Sequence, residues 1–214
     1  MIVPDFIFVT GCNAAGKSSL IRTRLNEFAA YEIIMTDVYK SRSQEVVRQA
    51  IADRKYILIE TPFNEESFKD LIDQARLAGY STSLIVLFLQ NPDESLERVT
   101  TRNKFEDGLL ISPGNVKYNF NENFKNVSKY FFYFDESFFI YTGEKGKSEL
   151  IMEFNRMKLI AYKGNDFAFI QMFAEYAHQL GRLTSDDLEI IRKNASYHGG
   201  ITRKSSSAKD WLTP

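Results

Sequence analysis

The sequence has 214 residues and nearly cancels its charges, with 27 Lys and Arg against 28 Asp and Glu for a formal net charge of −1, which excludes a globally basic nucleic-acid binder or a chain drawn to an anionic membrane. The length allows one large domain, or a domain with an appendage, and a substantial core, and 18 Phe with 11 Tyr argue against a disordered chain. The single cysteine, Cys12, excludes an intrachain disulfide and a cysteine zinc site and fits a reducing, cytoplasmic compartment.

The first predicted element is a short buried strand, Phe6-Ile7-Phe8-Val9. Pro4 and Asp5 interrupt the apolar run ahead of it, so no signal peptide is expected, and no later run is long enough to span a bilayer. The strand leads into Thr10-Gly11-Cys12-Asn13-Ala14-Ala15-Gly16-Lys17-Ser18-Ser19, which contains the pattern G-x-x-x-x-G-K-S. Its glycines let backbone N–H groups approach phosphate oxygens, Lys17 can reach the β- and γ-phosphates, and the Ser18 hydroxyl can ligate Mg²⁺. Residues Gly11 to Ser19, including Cys12, Asn13, Ala14, Ala15 and Gly16, are therefore the predicted nucleotide-binding set. Cys12 offers either a somewhat acidic thiol near a helix N-terminus or, as a small residue, only its N–H. A helix follows, with Leu20, Ile21, Leu25, Phe28 and Ala29 on one face.

Glu32 to Thr36 reads as a second strand ending at Asp37, and Ser43 to Asp53 as a helix with Val46, Val47, Ala50 and Ile51 on one side. Tyr56 to Ile59 is a third strand ending in Glu60-Thr61-Pro62. Asn64 is placed to cap the next helix, which carries Phe68, Leu71, Ile72 and Ala75 at helical spacing and stops at Gly79. Leu84 to Leu89, the most apolar run, reads as a fully buried parallel strand. This alternation predicts an α/β fold, a doubly wound and mostly parallel sheet with ligands at the carboxyl ends of its strands.

A helix is predicted from Pro92 to Arg102, then a polar, aperiodic stretch from Lys104 to Gly114 that suits a lid over about residues 103–115. Val116, Phe120, Phe124 and Val127 mark a further helix, and Phe131 to Phe134 a strand closed by Asp135 and Glu136. Phe138 to Tyr141, Glu149 to Phe154 and Leu159 to Tyr162 read as short strands forming a small β-hairpin region. A helical C-terminal extension follows over Asp166 to Leu180 and beyond Thr184, which with Asp187 makes a capping-box-like start. One domain over residues 1–197 and a flexible polar tail over 198–214 complete the expectation.

The acids and arginines narrow the chemistry. Asp37, about twenty residues past Lys17, can accept the proton of an attacking hydroxyl, hold a water on Mg²⁺, or only cap a turn. Glu60 with Thr61 can bind a substrate hydroxyl, support Mg²⁺ or cap. Arg98 and Arg102 lie one helical turn apart and can share a face, where they would either spread phosphate charge or pair with Glu94, Glu97 or Glu106. His178 and His198 have no partner spacing that suggests a metal, and Tyr130 to Tyr141 reads as core at strand period.

With these residues assembled, the sequence resembles the zeta toxin family of bacterial kinases and its relatives described as predicted ATPases, over about residues 5–163. The resemblance is carried by Phe8 to Ser19, the Asp37 strand end, Glu60-Thr61-Pro62-Phe63 and Ala75-Arg76-Leu77-Ala78-Gly79-Tyr80. It continues through Asn91-Pro92-Asp93-Glu94-Ser95, Glu97-Arg98-Val99 with Arg102, and Phe134-Asp135-Glu136-Ser137. It implies an ATP- or GTP-dependent, Mg²⁺-assisted kinase acting on a small-molecule hydroxyl, with UDP-N-acetylglucosamine as the best-known acceptor and an antitoxin-like protein as partner. By the same analogy Asp37 would be the base, Glu60 and Thr61 would touch substrate, and Arg98 or Arg102 would contact phosphate beside Lys17 of the loop. Where relatives carry a Gly-Gly-His-rich lid and an Arg-Tyr pair, this chain has Glu106-Asp107-Gly108 and Asn119-Phe120. That departure favours the alternative of a nucleotide-binding regulator without phosphotransfer, against which Asp37 and Glu60 argue. A polynucleotide kinase finds support only in the Arg203–Lys204 pair.

Overall fold

The computed structural model of the chain describes residues 3–105, 111–143 and 147–199, with side chains to residue 102 in the first stretch. The predicted alternation is present. Strand β1 (Asp5–Thr10) is followed by α1 (Lys17–Thr23), β2 (Tyr31–Met35), α2 (Thr36–Tyr39), α3 (Ser43–Ala52), β3 (Tyr56–Thr61), α4 (Phe68–Leu77) and β4 (Ser81–Phe88). Then come α5 (Pro92–Phe105), α6 (Pro113–Tyr130), β5 (Glu136–Tyr141), β6 (Glu149–Asn155), β7 (Lys158–Tyr162), α7 (Ala168–Gln179), α8 (Ser185–Arg192) and a two-residue β8 (Tyr197–His198).

All the strands lie in one eight-stranded sheet of order β2-β3-β1-β4-β5-β6-β7-β8. The first five in that order are parallel, and β6, β7 and β8 extend the same sheet antiparallel, so the small hairpin region is part of the main sheet. β1 and β4 are nearly continuous apolar runs because helices cover both of their faces, and Phe6 to Val9 and Leu84 to Leu89 are all buried. Phe8 sits at the centre, its ring 5.1 Å from Phe63 and 5.6 Å from Phe134. Burying each such side chain stabilises the fold by about 1.5–3 kcal/mol. On the β5–β6 side, Phe173 of α7 packs against Phe139 at 4.5 Å and Phe131 at 5.3 Å.

Several local expectations are corrected. α1 ends at Thr23, so Leu25 is exposed and Ala29 lies outside the helix, while a turn (Phe28 N–H to Arg24 C=O, 3.2 Å) returns Phe28 to the core. β2 stops at Met35, which leaves Asp37 in the first turn of α2. Asn64 caps no helix; α4 starts at Phe68 and Asn64 turns to α6 instead. Phe131–Tyr133 is a 3₁₀ turn and not a strand. Its Phe131 and Phe134 are fully buried while Phe132 and Tyr133 are half-buried, a spacing of three that a 3₁₀ turn satisfies and an alternating strand does not. Asp135 and Glu136 accordingly precede and open β5, and close nothing.

The predicted lid falls largely on residues 106–110, which lie outside the described residues, and its flanks are helical, with Gly114 inside α6. Of the predicted tail, His198 pairs with Ala161 and the Gly199 N–H donates to the Ile160 carbonyl at 2.7 Å; residues 200–214 lie outside the described residues. The helix after Thr184 starts as expected, with the Thr184 hydroxyl accepting the Asp187 N–H at 3.1 Å. Among the described residues no helix is long and apolar enough to cross a membrane.

Candidate active site

The chain leaves β1 toward one side of the sheet and, after β3, crosses over β1 to the other. The crevice at the carboxyl ends of β1 and β3 is therefore where this topology places a ligand, and it holds the loop from Gly11 to Ser18. Gly11 approaches β4 so closely that an added Cβ would lie 2.2 Å from the Leu87 carbonyl oxygen, and Gly16 holds the left-handed conformation (φ 91°) that starts α1. The pattern needs glycine at both positions for these steric reasons.

The loop's carbonyl groups are each held by a side chain, one after another. Lys17 Nζ donates to the Gly11 and Cys12 carbonyls at 3.0 and 3.1 Å. Ser95 Oγ donates to that of Asn13 at 2.7 Å, Arg98 Nη1 to that of Ala14 at 3.5 Å, and Thr142 Oγ1 to that of Ala15 at 2.9 Å. The N–H groups of Asn13, Ala14, Gly16, Lys17 and Ser18 have no acceptor among the described residues. Successive unpaired amides at a helix N-terminus form a concave anion site, and the loop fits a phosphate chain on this ground. Cys12 is buried beneath it, and burial pushes its thiol up to about 11 despite the neighbouring Lys17. Burial works against the acidic-thiol alternative, because desolvation outweighs the nearby charge.

Glu60, only 5% exposed at the end of β3, accepts from Ser18 Oγ at 3.1 Å and lies 3.9 Å from Lys17 Nζ. Its carboxyl is held above the usual range chiefly by burial; Lys17 and the Ser18 hydroxyl oppose the shift, and Asp37 adds to it. A desolvated carboxylate beside a hydroxyl at the loop's end is the donor set a hard divalent cation takes, and Mg²⁺ fits here. Among the described residues no group of three or more His, Cys, Asp or Glu converges on one point, so Mg²⁺ would rely on Ser18, Glu60 and the ligand's own oxygens.

Asp37 is exposed, and its carboxylate makes no hydrogen bond to any described residue, yet it is near enough to raise Glu60. Thr61 is fully buried and its hydroxyl accepts the Phe63 N–H at 3.2 Å. Beside them opens a polar cleft of about 550 Å³ bordered by Thr36, Lys40, Ser43, Arg48, Thr61 and Asn64. Arg98 is occupied by main-chain carbonyls, those of Ala14, Thr142 (2.7 Å) and Gly143. Arg102, in contrast, has a buried Nε without a partner among the described residues. Ser18 and Lys17 thus meet Glu60 directly, Asp37 is near, and Arg98 stands behind the loop.

Sequence reasoning missed Ser95 and Thr142, which pin the loop, and the asparagines of α6. Asn123 donates to Thr10 Oγ1 at 2.8 Å and to the Pro62 carbonyl at 2.6 Å, and Asn126 to the Phe63 carbonyl at 3.0 Å. With Asn119 they recur at helical spacing on one face, a polar stripe legible in the sequence.

No family model matches the sequence, and no curated protein matches it. Solved structures do. A chain of the PezAT chromosomal toxin–antitoxin system of Streptococcus pneumoniae is 15% identical with a TM-score of 0.55, covering 100% of this chain and 89% of that one. A chain of the AvrRxo1-ORF1:AvrRxo1-ORF2 complex with sulphate ions is 12% identical with a TM-score of 0.56, covering 92% and 78%, and the same complex solved with ATP gives 14% and 0.52 at the same coverage. At such identities the likeness is one of fold.

Proposed function

We propose that the chain is a phosphotransferase of the P-loop kinase type, moving the γ-phosphoryl group of ATP or GTP to a hydroxyl of a small molecule. The observation that carries the proposal is the meeting of Lys17, Ser18 and Glu60 at the end of a loop whose amides are unpaired among the described residues, with Thr61, next to Glu60 in the chain, bordering a polar cleft. A bound nucleotide would supply the phosphoryl group, and Mg²⁺ would neutralise charge on its oxygens. Lys17 would hold the β- and γ-phosphates, and Ser18 with Glu60 the metal. Asp37, exposed at the same edge, would orient the acceptor hydroxyl and take its proton. Thr61 would border the acceptor. Of the two arginines, Arg102 has a donor without a partner among the described residues, whereas Arg98 serves through the loop it braces. The resemblance extends the proposal to a nucleotide sugar such as UDP-N-acetylglucosamine as acceptor and to the cytoplasm as the compartment. Structural neighbours from a toxin–antitoxin system and a two-protein complex extend it to an antitoxin-like protein partner.

The test is incubation with γ-labelled ATP or GTP, Mg²⁺ and a panel of hydroxyl acceptors, UDP-N-acetylglucosamine among them. Label should move to an acceptor in a Mg²⁺-dependent manner, and Lys17→Ala should abolish both transfer and nucleotide binding. Tight nucleotide binding with no transfer to any acceptor would replace the kinase by the regulator.

A further inference from the structure

The asparagines of α6 differ in what they hold. Asn123 and Asn126 are buried and reach Thr10 and main-chain carbonyls, which fixes the helix to the sheet. Asn119, one turn earlier and half-buried, reaches two side chains on two separate loops. Its Oδ1 accepts from Asn64 Nδ2 at 2.8 Å, and its Nδ2 donates to Asn13 Oδ1 at 2.9 Å. Asn13 belongs to the phosphate loop, where Ser95 also holds its carbonyl. Asn64 borders the polar cleft beside Thr61. A side-chain amide suits the middle of this chain because it accepts at one end and donates at the other; a carboxylate or a hydroxyl cannot do both with this reach.

We propose that Asn13, Asn119 and Asn64 form a relay that couples occupancy of the phosphate loop to the shape of the acceptor cleft, with Asn119 as its positioning residue. The proposal rests on the nucleotide-binding reading of the loop. Phosphate entering among the loop amides fixes Asn13, Asn13 fixes the Asn119 amide, and Asn119 sets Asn64 at the cleft wall. Coupling of this kind is reciprocal. A change at Asn64, outside the phosphate loop, must therefore alter nucleotide affinity, and only while Asn119 is there to transmit it.

The experiment is titration calorimetry of the full chain with a non-hydrolysable ATP analogue and Mg²⁺, comparing native protein, Asn64→Ala, Asn119→Ala and the double variant. Asn64→Ala should weaken binding by roughly five-fold, the low end of allosteric couplings. In the Asn119→Ala background the Asn64 change should have no further effect, since neighbours in one network are non-additive. Thr184→Ala is the control: it removes the N-cap of α8, whose hydroxyl accepts the Asp187 N–H at 3.1 Å, away from the relay. It should lower the melting temperature and leave affinity unchanged. Native affinity in Asn64→Ala, additive effects in the double variant, or an equal loss in Thr184→Ala would each overturn the relay. Should Asn119→Ala fail to fold, Asn64→Ala against Thr184→Ala still decides. A native chain that binds no nucleotide would overturn the nucleotide reading itself and the relay with it, a result distinct from native binding that is insensitive to Asn64.

Discussion

Two carboxylates at the same sheet edge are set apart by their surroundings. Asp37 is exposed and free of hydrogen bonds to the described residues, whereas Glu60 is buried against Ser18 and Lys17. If Asp37 is the general base, Asp37→Asn should leave nucleotide affinity nearly unchanged while turnover falls by roughly 10²–10⁴-fold. Weakened affinity that raised Mg²⁺ restores would instead make it a metal ligand. For Glu60 the sign follows from its raised pKa. The folded chain binds a proton there more readily than the unfolded chain, so stability falls as pH rises from the ordinary carboxylate value, about 4.3, through the raised one. Glu60→Gln should therefore melt like the native chain near the lower value and at a higher temperature at neutral pH, in EDTA. With nucleotide and Mg²⁺ the order should reverse, because the variant has lost a ligand. Melts across a pH series, with and without Mg²⁺, check both halves; a gain independent of pH would show that burial does not govern Glu60.

At the scale of elements, the apolar periods were legible in sequence but the boundaries depended on local hydrogen bonds. Thr184 with Asp187 is the case in which sequence chemistry alone sufficed, because a cap is made by residues three apart. Thr184→Ala should cost about 1 kcal/mol in urea unfolding and leave nucleotide binding intact, since α8 lies at the far end of the sheet; an unchanged midpoint would mean that the cap is not used. Asn64 shows the reverse. An Asn ahead of a helical period reads as a cap, yet its partner is Asn119, 55 residues away. Phe131 to Phe134 failed for a related reason. Four aromatics in a row suit a strand by propensity, but Phe8 and Phe173 on other elements demand Phe134 and Phe131 at a spacing of three.

For the whole molecule, the continuous sheet joins the phosphate-loop half to the C-terminal strands through β4–β5–β6 pairing. A single cooperative unit is the expectation. Phe173→Ala, which empties a fully buried ring site against Phe139, should cost about 3–5 kcal/mol. The loss should be felt as far away as the phosphate loop. Cys12 is the chain's single cysteine and is buried, so its thiol reactivity reports on that loop alone. In urea the Cys12 reaction and the far-ultraviolet dichroism should move together in the variant. Cys12 becoming reactive well before the dichroism changes would divide the molecule into two units.

What the sequence determined by itself is local or periodic. The phosphate loop is legible because its glycines, Lys17 and Ser18 are contiguous and each answers a steric or charge need of one anion. The parallel core is legible because strands buried on both faces must be apolar throughout. Tertiary structure alone decided how the loop is held and what it faces. Ser95, Arg98 and Thr142 pin its carbonyls from distant elements, Glu60 meets Ser18 across 42 residues, and Asn119 joins Asn13 to Asn64. Such contacts leave no period in the chain, because a hydrogen bond constrains a distance in space and is indifferent to separation in sequence.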